Sequence, residues 1–246
     1  MTPPSPPTTA RWLVGAHSRL GTRRASNMDA FVTLPAEGIV VLADGMGSTR
    51  RGGEAARLAV EQFAGLLAGT ALRDESAIHA AVGQVQEQLV AEFAAEGAVT
   101  GATTLCAVVT DGAELLVVNL GDSRCYLRHD GALLALTTDH TVAAHLIEIG
   151  ATEPGSALAR RTANHLRRYL GNPAGATADI TRHRLVAGDA VLLSTDGVHG
   201  SLSVAQMTDI MLADADPELT ARQLVAAAIA AGGTDDATSL VVAQAG

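Results

Sequence analysis

Residues 38–48, Gly-Ile-Val-Val-Leu-Ala-Asp-Gly-Met-Gly-Ser, constrain the fold of this 246-residue chain more than any other stretch. Val40, Val41 and Leu42 form a short β-branched and aliphatic run bounded by turn residues, which predicts a strand buried on both faces. The strand delivers Asp44 into a glycine-rich turn, where Gly45 and Gly47 would leave main-chain carbonyls and amides open to a metal or a phosphate. Asp-Gly is equally the signature of a plain hairpin, and the chain supplies its own control. Asp111-Gly112 and Asp130-Gly131 are followed at once by more strand-like sequence and read as hairpins, whereas Asp44-Gly45 runs into a polar, glycine-rich loop and then a helical pattern. Residues 191–197 repeat the Asp44 arrangement, an apolar run ending in Asp196-Gly197 with a loop holding His199 after it. Asp235-Asp236, between a Gly232-Gly233-Thr234 turn and the apolar run 240–242, makes a third acidic strand terminus.

Periodicity assigns the other elements. Strands are expected at 12–16 and 29–34. Ala55, Leu58, Ala59, Phe63, Leu66 and Leu67 then fall at helical spacing, as do Ile78, Val82, Val85, Leu89 and Phe93, so two helices each present one core face. Residues 103–110, 113–120, 123–128 and 132–136 read as strands with two-residue connections, an antiparallel meander. Residues 141–168 predict a short helix and a mobile surface segment. A strand pair at 180–185 and 189–195, helices at 204–212 and 219–229 and a strand at 237–242 complete the chain. Runs of strands separated by helix pairs predict an α+β layered sandwich rather than parallel βαβ units.

Composition narrows the class. With 48% hydrophobic and 17% charged residues the chain reads as a folded protein, and no linker divides it. One domain is expected over 11–246, behind a proline-rich segment, 1–10, that cannot form regular structure. A formal net charge of −9 argues against nonspecific binding to nucleic acid or anionic membranes, which need a basic face. Cys106 and Cys125 lie in apolar runs and read as reduced core residues. There is no 18-residue apolar run and no signal-type N-terminus, so a cytoplasmic soluble protein is expected, and it is expected to be a monomer.

Asp44, Asp196 and Asp235, with Asp29 and Asp122 beside other turns, are hard oxygen donors unaccompanied by Cys pairs or a His-x-x-x-His spacing. Such a set suits Mg²⁺ or Mn²⁺. Bare clustered carboxylates repel one another, so the cluster implies cations. Two ions about 3.5–4 Å apart activate a bridging water for in-line attack on phosphorus, and an arginine would complete the site with a bidentate fork.

Five motifs carry a resemblance: Arg24-Ala25-Ser26-Asn27-Met28-Asp29, Asp44-Gly45-Met46-Gly47, Gly101-Ala102-Thr103-Thr104, Gly121-Asp122-Ser123-Arg124, and Ser194-Thr195-Asp196-Gly197 with Asp235-Asp236-Ala237-Thr238. In that order, over roughly residues 12–242, the chain resembles the metal-dependent serine/threonine protein phosphatases of type 2C, the PPM family, in their compact bacterial form. The resemblance implies a four-layer α-β-β-α sandwich of two antiparallel sheets flanked by helix pairs. It implies hydrolysis of phosphoserine and phosphothreonine by a water or hydroxide bridging two Mn²⁺ or Mg²⁺ ions, without a covalent phosphoenzyme. Asp44 would bridge the ions and the Gly45 carbonyl would bind one of them. Asp196 and Asp235 would complete the other ion's shell, Asp29 would act mainly through a water, and Asp122 with Asp196 would hold a weaker third ion. Arg24 would clamp the substrate phosphate, and residues 139–170 would include a flap. The partners implied are phosphorylated proteins and, by analogy, a Hanks-type kinase.

Some positions depart from the family pattern. Met28 replaces an acidic or amide residue, Met46 leaves no evident general acid after Asp44-Gly45, Ser48 and Thr49 replace the usual glycine and a polar neighbour, and Asp236 replaces the usual asparagine. Two other readings compete: a binding module that has lost turnover, and a phosphoester hydrolase acting on nucleotides or small molecules. His140 is expected to stabilise a turn, and His199 to make a hydrogen bond within its loop.

Overall fold

The computed structural model describes residues 12–47, 50–69, 74–94, 101–111 and 114–244. The proline-rich N-terminus, Ser48, Thr49 and the Gly112 turn fall outside the described residues. In chain order the strands are β1 (Trp12–Arg19), β2 (Asp29–Leu34), β3 (Ile39–Asp44), β4 (Leu105–Asp111), β5 (Glu114–Leu120), β6 (Arg124–His129), β7 (Ala132–Ala135), β8 (Asp179–Arg184), β9 (Ala190–Ser194) and β10 (Ala237–Gln244). The helices are α1 (Arg50–Leu67), α2 (Glu75–Ala94), α3 (Val142–Glu148), α4 (Ala157–Thr162), α5 (Asp196–His199), α6 (Val204–Ala213) and α7 (Pro217–Ala230).

Two five-stranded sheets, ordered β1-β10-β9-β6-β7 and β2-β3-β4-β5-β8, are antiparallel throughout. Three apolar clusters glue four layers together. One lies between α1, α2 and the second sheet, one between the sheets, and one between the first sheet and α6 and α7. β3 shows why its sequence has no polar face: Ile39, Val41 and Ala43 join the helix-side cluster while Val40 and Leu42 join the cluster between the sheets. Full burial of each large residue here is worth about 1.5–3 kcal/mol, enough together to anchor a strand whose last residue is a desolvated carboxylate. The helix stripes behave as their spacing predicts, with Ala55, Ala59, Phe63 and Leu67 of α1 and Ile78, Val82, Val85 and Leu89 of α2 buried.

Three local expectations are corrected. Residues 103–136 are not one meander: β4–β5 is a hairpin in one sheet, β6–β7 a hairpin in the other, and the chain changes sheets through Gly121-Asp122-Ser123. A three-residue crossover and a two-residue hairpin leave much the same alternation in sequence, because both sheets bury their facing sides against each other. The crossover is instead held from a distance, since His140 donates its backbone N–H to the Gly121 carbonyl and accepts the Gly121 N–H at Nδ1. β8 and β9 are likewise not a pair; β8 is bonded to β5, and β9 to β6 and β10. Finally, the segment after Asp196 is not a loop but the short helix α5, begun by Thr195.

Candidate active site

Register puts the first two carboxylates side by side. β2 and β3 pair so that Asp29 lies opposite Asp44 at the end of their ladder. The backbone of Asp44 is fixed from β4's approach: Thr104 Oγ1 accepts its N–H at 2.8 Å, and its carbonyl accepts the Thr104 N–H and the Thr103 hydroxyl, each at 2.9 Å. Asp29 is held from the other sheet. Its Oδ2 accepts the hydroxyls of Thr195 at 2.9 Å and Thr238 at 2.6 Å, and Thr195 Oγ1 in turn accepts the Thr238 N–H. These two threonines, at the ends of β9 and β10, are the bolts that bring the acidic corners of both sheets together. Asp29 Oδ1, by contrast, is buried without a hydrogen-bond partner.

The electrostatics follow from that convergence. Burial, opposed by the two threonine hydroxyls but reinforced by the Asp236 and Asp196 charges, pushes Asp29 up to about 7. Burial and the charges of Asp29, Asp196, Asp122 and Asp235 hold Asp44 well above the usual carboxylate range. Asp122 is also pushed up to about 7, by burial and then by Asp196 and Asp139. Asp196 is raised by burial and Asp235, with a hydrogen bond from the Asp44 carboxyl and the charge of Arg24 acting the other way. Four mutually repelling, buried carboxyl groups are thus kept in a corner that favours their neutral forms.

Arg24 and Asp235, expected in separate roles, are in contact. Arg24 Nε donates to Asp235 Oδ1 at 3.1 Å and Nη1 donates to the Gly47 carbonyl at 2.6 Å. The loop that carries Arg24 is tied down by Asp236, whose carboxylate accepts the Gly21 N–H at 2.7 Å and the Met28 N–H at 2.8 Å. In sequence Asp236 stands out as part of an acidic strand terminus and as a departure from the family pattern, with no bonding role attached. Its paired acceptor demand becomes visible only when residues 21 and 28 are known to sit beside it. Gly45 also has a reason that the sequence did not show: a Cβ there would stand 2.3 Å from the Gly52 backbone, so the turn is glycine because α1 begins against it. Gly47, at φ +99°, faces open space in the left-handed region that favours glycine.

A cleft of about 420 Å³ opens beside this corner, lined by Asp122, Asp196, Asp235, Asp139 and His199, with Ala163 and Asn164 from the segment after α4. Arg124 reaches Asp139 through two bonds, Nε to Oδ1 at 2.8 Å and Nη2 to Oδ2 at 2.7 Å, a fork-on-carboxylate pair that the motif reading passed over. His199 is buried, lies 3.0 Å from the Ser194 hydroxyl through Nδ1, and is driven down to about 3 by burial, so it stays neutral. His140 stabilises its turn as expected. Because Nδ1 accepts from Gly121, Nε2 carries the proton toward Asp179 Oδ2, 3.0 Å away.

No three Asp, Glu, His or Cys side chains among the described residues form a ready-made metal-binding group, and Asp235 is compensated by Arg24. The donor set nonetheless fits a hard divalent cation: every candidate is a carboxylate or carbonyl oxygen, the carboxyl groups are raised by burial and then by mutual repulsion, and Asp29 Oδ1 is a buried acceptor without a donor. No helix among the described residues is long and apolar enough to cross a membrane.

The chain is similar to known proteins over most of its length. A family model described as protein phosphatase 2C matches residues 16–230. The serine/threonine phosphatase stp of Listeria welshimeri is 28% identical over 232 residues, 91% of each chain. The crystal structure of the Mycobacterium tuberculosis serine/threonine phosphatase PstP/Ppp superposes with a TM-score of 0.86 at 28% identity, covering 96% of this chain and 99% of that one. The catalytic domain of the serine/threonine protein phosphatase PstP in complex with two manganese ions gives a TM-score of 0.83 at 28% identity over 94% of this chain and 97% of that one.

Proposed function

Because this chain belongs to the protein phosphatase 2C family, we propose that it hydrolyses phosphoserine and phosphothreonine in proteins with the help of two Mn²⁺ or Mg²⁺ ions, by direct attack of water and without a phosphoenzyme. The observation that carries this reading is the meeting of Asp29, Asp44, Asp196 and Asp235 from both sheets in one corner, with a buried unpartnered oxygen on Asp29 and an arginine at its edge.

Asp44 and the Gly45 carbonyl, with Asp196 and Asp235, would hold the ions; Asp29 would contribute through its unpartnered oxygen, and Asp122 with Asp196 would take a third ion more weakly. The ions, when bound, supply an activated water and neutralise the charge that develops on the phosphoryl oxygens. The protein's own work is positioning. Thr195 and Thr238 aim Asp29 by occupying its Oδ2, and Thr103 and Thr104 pin the backbone of Asp44. Arg24 would offer the phosphate the edge of its guanidinium not engaged by the Gly47 carbonyl, and its Nε, now on Asp235, would be free for a bidentate grip if Asp235 served as a metal ligand. Met46 cannot donate a proton and His199 is neutral and turned to Ser194, so the leaving alkoxide is protonated by water.

Hydrolysis of a phosphothreonine peptide with added Mn²⁺, run beside nucleotides and with a chelator, tests the reading. Peptide turnover that needs the metal is the expected result. Nucleotide turnover alone would point to a small-molecule hydrolase, and metal binding without any turnover to a regulatory module. Phosphorylated proteins, and a Hanks-type kinase that makes them, are the partners this activity would serve, acting from a cytoplasmic monomer.

A further inference from the structure

Charge is unevenly spread along this chain. The whole has a formal net charge of −9, yet residues 157–178 contain Arg160, Arg161, Arg167 and Arg168 and no aspartate or glutamate. This basic segment is also part of the active-site wall, since Ala163 and Asn164 line the cleft that holds Asp122, Asp196 and Asp235. A second cleft, again of about 420 Å³, lies next to the first and is lined by Arg167, Arg168, His140 and His145 with Asp139, Glu148 and Asp179. Asp139 lines both clefts, so they meet at that residue.

Two of the three acidic groups of the second cleft are held by arginine, and the third, Glu148, faces a histidine. Asp139 takes the two-bond grip of Arg124, Asp179 is bonded by Arg168 and His140, and Glu148 lies 3.6 Å from His145. Arg167, in contrast, is exposed and has no side-chain partner among the described residues, and the same is true of Arg161 on α4. One unanswered guanidinium in the lining of the second cleft, Arg167, and another on the neighbouring helix α4, Arg161, leave a demand for anions next to a phosphate site. We infer that the second cleft and its arginines receive an acidic flank of the phosphoprotein substrate: aspartate, glutamate or a second phosphorylated residue close to the one being hydrolysed. The inference rests on the phosphatase reading above and names the substrate class within it. Guanidinium forks pair with carboxylate and phosphate alike. Charges on a solvent-exposed rim speed encounter and hold the complex, without touching the chemical step, so the preference belongs in KM.

Steady-state kinetics in Mn²⁺ on phosphothreonine peptides that differ only in flanking residues would test this. The set comprises an Asp/Glu flank, a flank with a second phosphoserine, a neutral flank and a Lys flank, with p-nitrophenyl phosphate as a flank-free ester. Both acidic sets should show kcat/KM roughly 5- to 20-fold above the neutral peptide, as a few exposed ion pairs allow. The advantage should lie in KM, shrink in high salt and vanish in the double variant Arg161→Gln/Arg167→Gln. That variant should keep wild-type rates on the neutral peptide and on p-nitrophenyl phosphate. Equal kcat/KM for acidic and neutral peptides in the wild type would overturn the inference. So would a double variant slowed equally on p-nitrophenyl phosphate, which would make the arginines mere braces of the segment. Arginine-dependent binding to anionic-lipid vesicles or single-stranded RNA without any peptide preference would overturn it too, by assigning the patch to another polyanion. Absence of wild-type turnover on every ester is a different pattern: it would remove the phosphatase reading itself and this inference with it.

Discussion

Stripping divalent ions should leave a protein that becomes less stable as pH rises from about 5.5 to about 8. Asp29 titrates near 7 in the folded chain against an ordinary value of 3.8. The folded state therefore holds this proton more tightly than the unfolded one. Stability is greatest below the unfolded value and is lost as pH climbs toward the folded one. At about 1.36 kcal/mol per unit, one such group costs roughly 2 kcal/mol between pH ~5.5 and ~8, which lowers Tm by about 4–8 °C in a domain of this size. Asp122, also near 7, adds a cost of the same sign. Both groups feel Asp196, so their contributions are not simply additive. Cations replace these protons, so stabilisation by Mn²⁺ should grow with pH and reverse the slope. Differential scanning calorimetry across this range, in chelator and in Mn²⁺, reads both effects. Asp29→Asn should flatten the chelated profile and weaken the response to Mn²⁺. A chelated Tm that does not move with pH, together with a Mn²⁺ shift that is the same at pH 5.5 and 8, would refute the argument that these carboxyl groups await cations.

Arg24→Ala should leave Mn²⁺ affinity nearly unchanged while lowering kcat/KM on a phosphopeptide by roughly 10- to 10³-fold, with Arg24→Lys recovering only part; calorimetry and kinetics on the same variants decide, and unchanged kinetics would move the clamp elsewhere. Asp236→Ala removes the acceptor of the Gly21 and Met28 N–H groups, and unmade buried bonds at about 1–3 kcal/mol each should lower the denaturant midpoint and activity together; a neutral result would mean the Arg24 loop is held by other contacts. At Gly197 an added Cβ would stand 1.9 Å from the Asp236 carbonyl, so Gly197→Ala should destabilise by about 1–3 kcal/mol and impair Mn²⁺-dependent turnover; wild-type thermal stability would show that α5 and the Asp235 turn are free to separate.

Much of this protein is legible along the chain. The strand without a polar face at 39–43, the helix stripes at 55–67 and 78–93, and the contrast between Asp44-Gly45 and the hairpin at Asp130-Gly131 are local patterns, and local patterns survive in sequence because burial of each residue depends on its own position in the element. They suffice for an α+β layered sandwich and for the carboxylates of the site. What no local pattern holds is which sheet a strand joins. Facing sides of two packed sheets bury the same residue types, so the crossovers at Gly121–Ser123 and between β8 and β9 look like hairpins until pairing is known. The same holds for the parts of the site made by long-range contact. Thr195 and Thr238 act on Asp29 from 166 and 209 residues away, Asp236 reaches back to Gly21 and Met28, and Arg24 meets Asp235. The charges were written in the sequence, but their burial and mutual repulsion, and hence the raised pKa values, exist only once the ends of two sheets are brought to one corner.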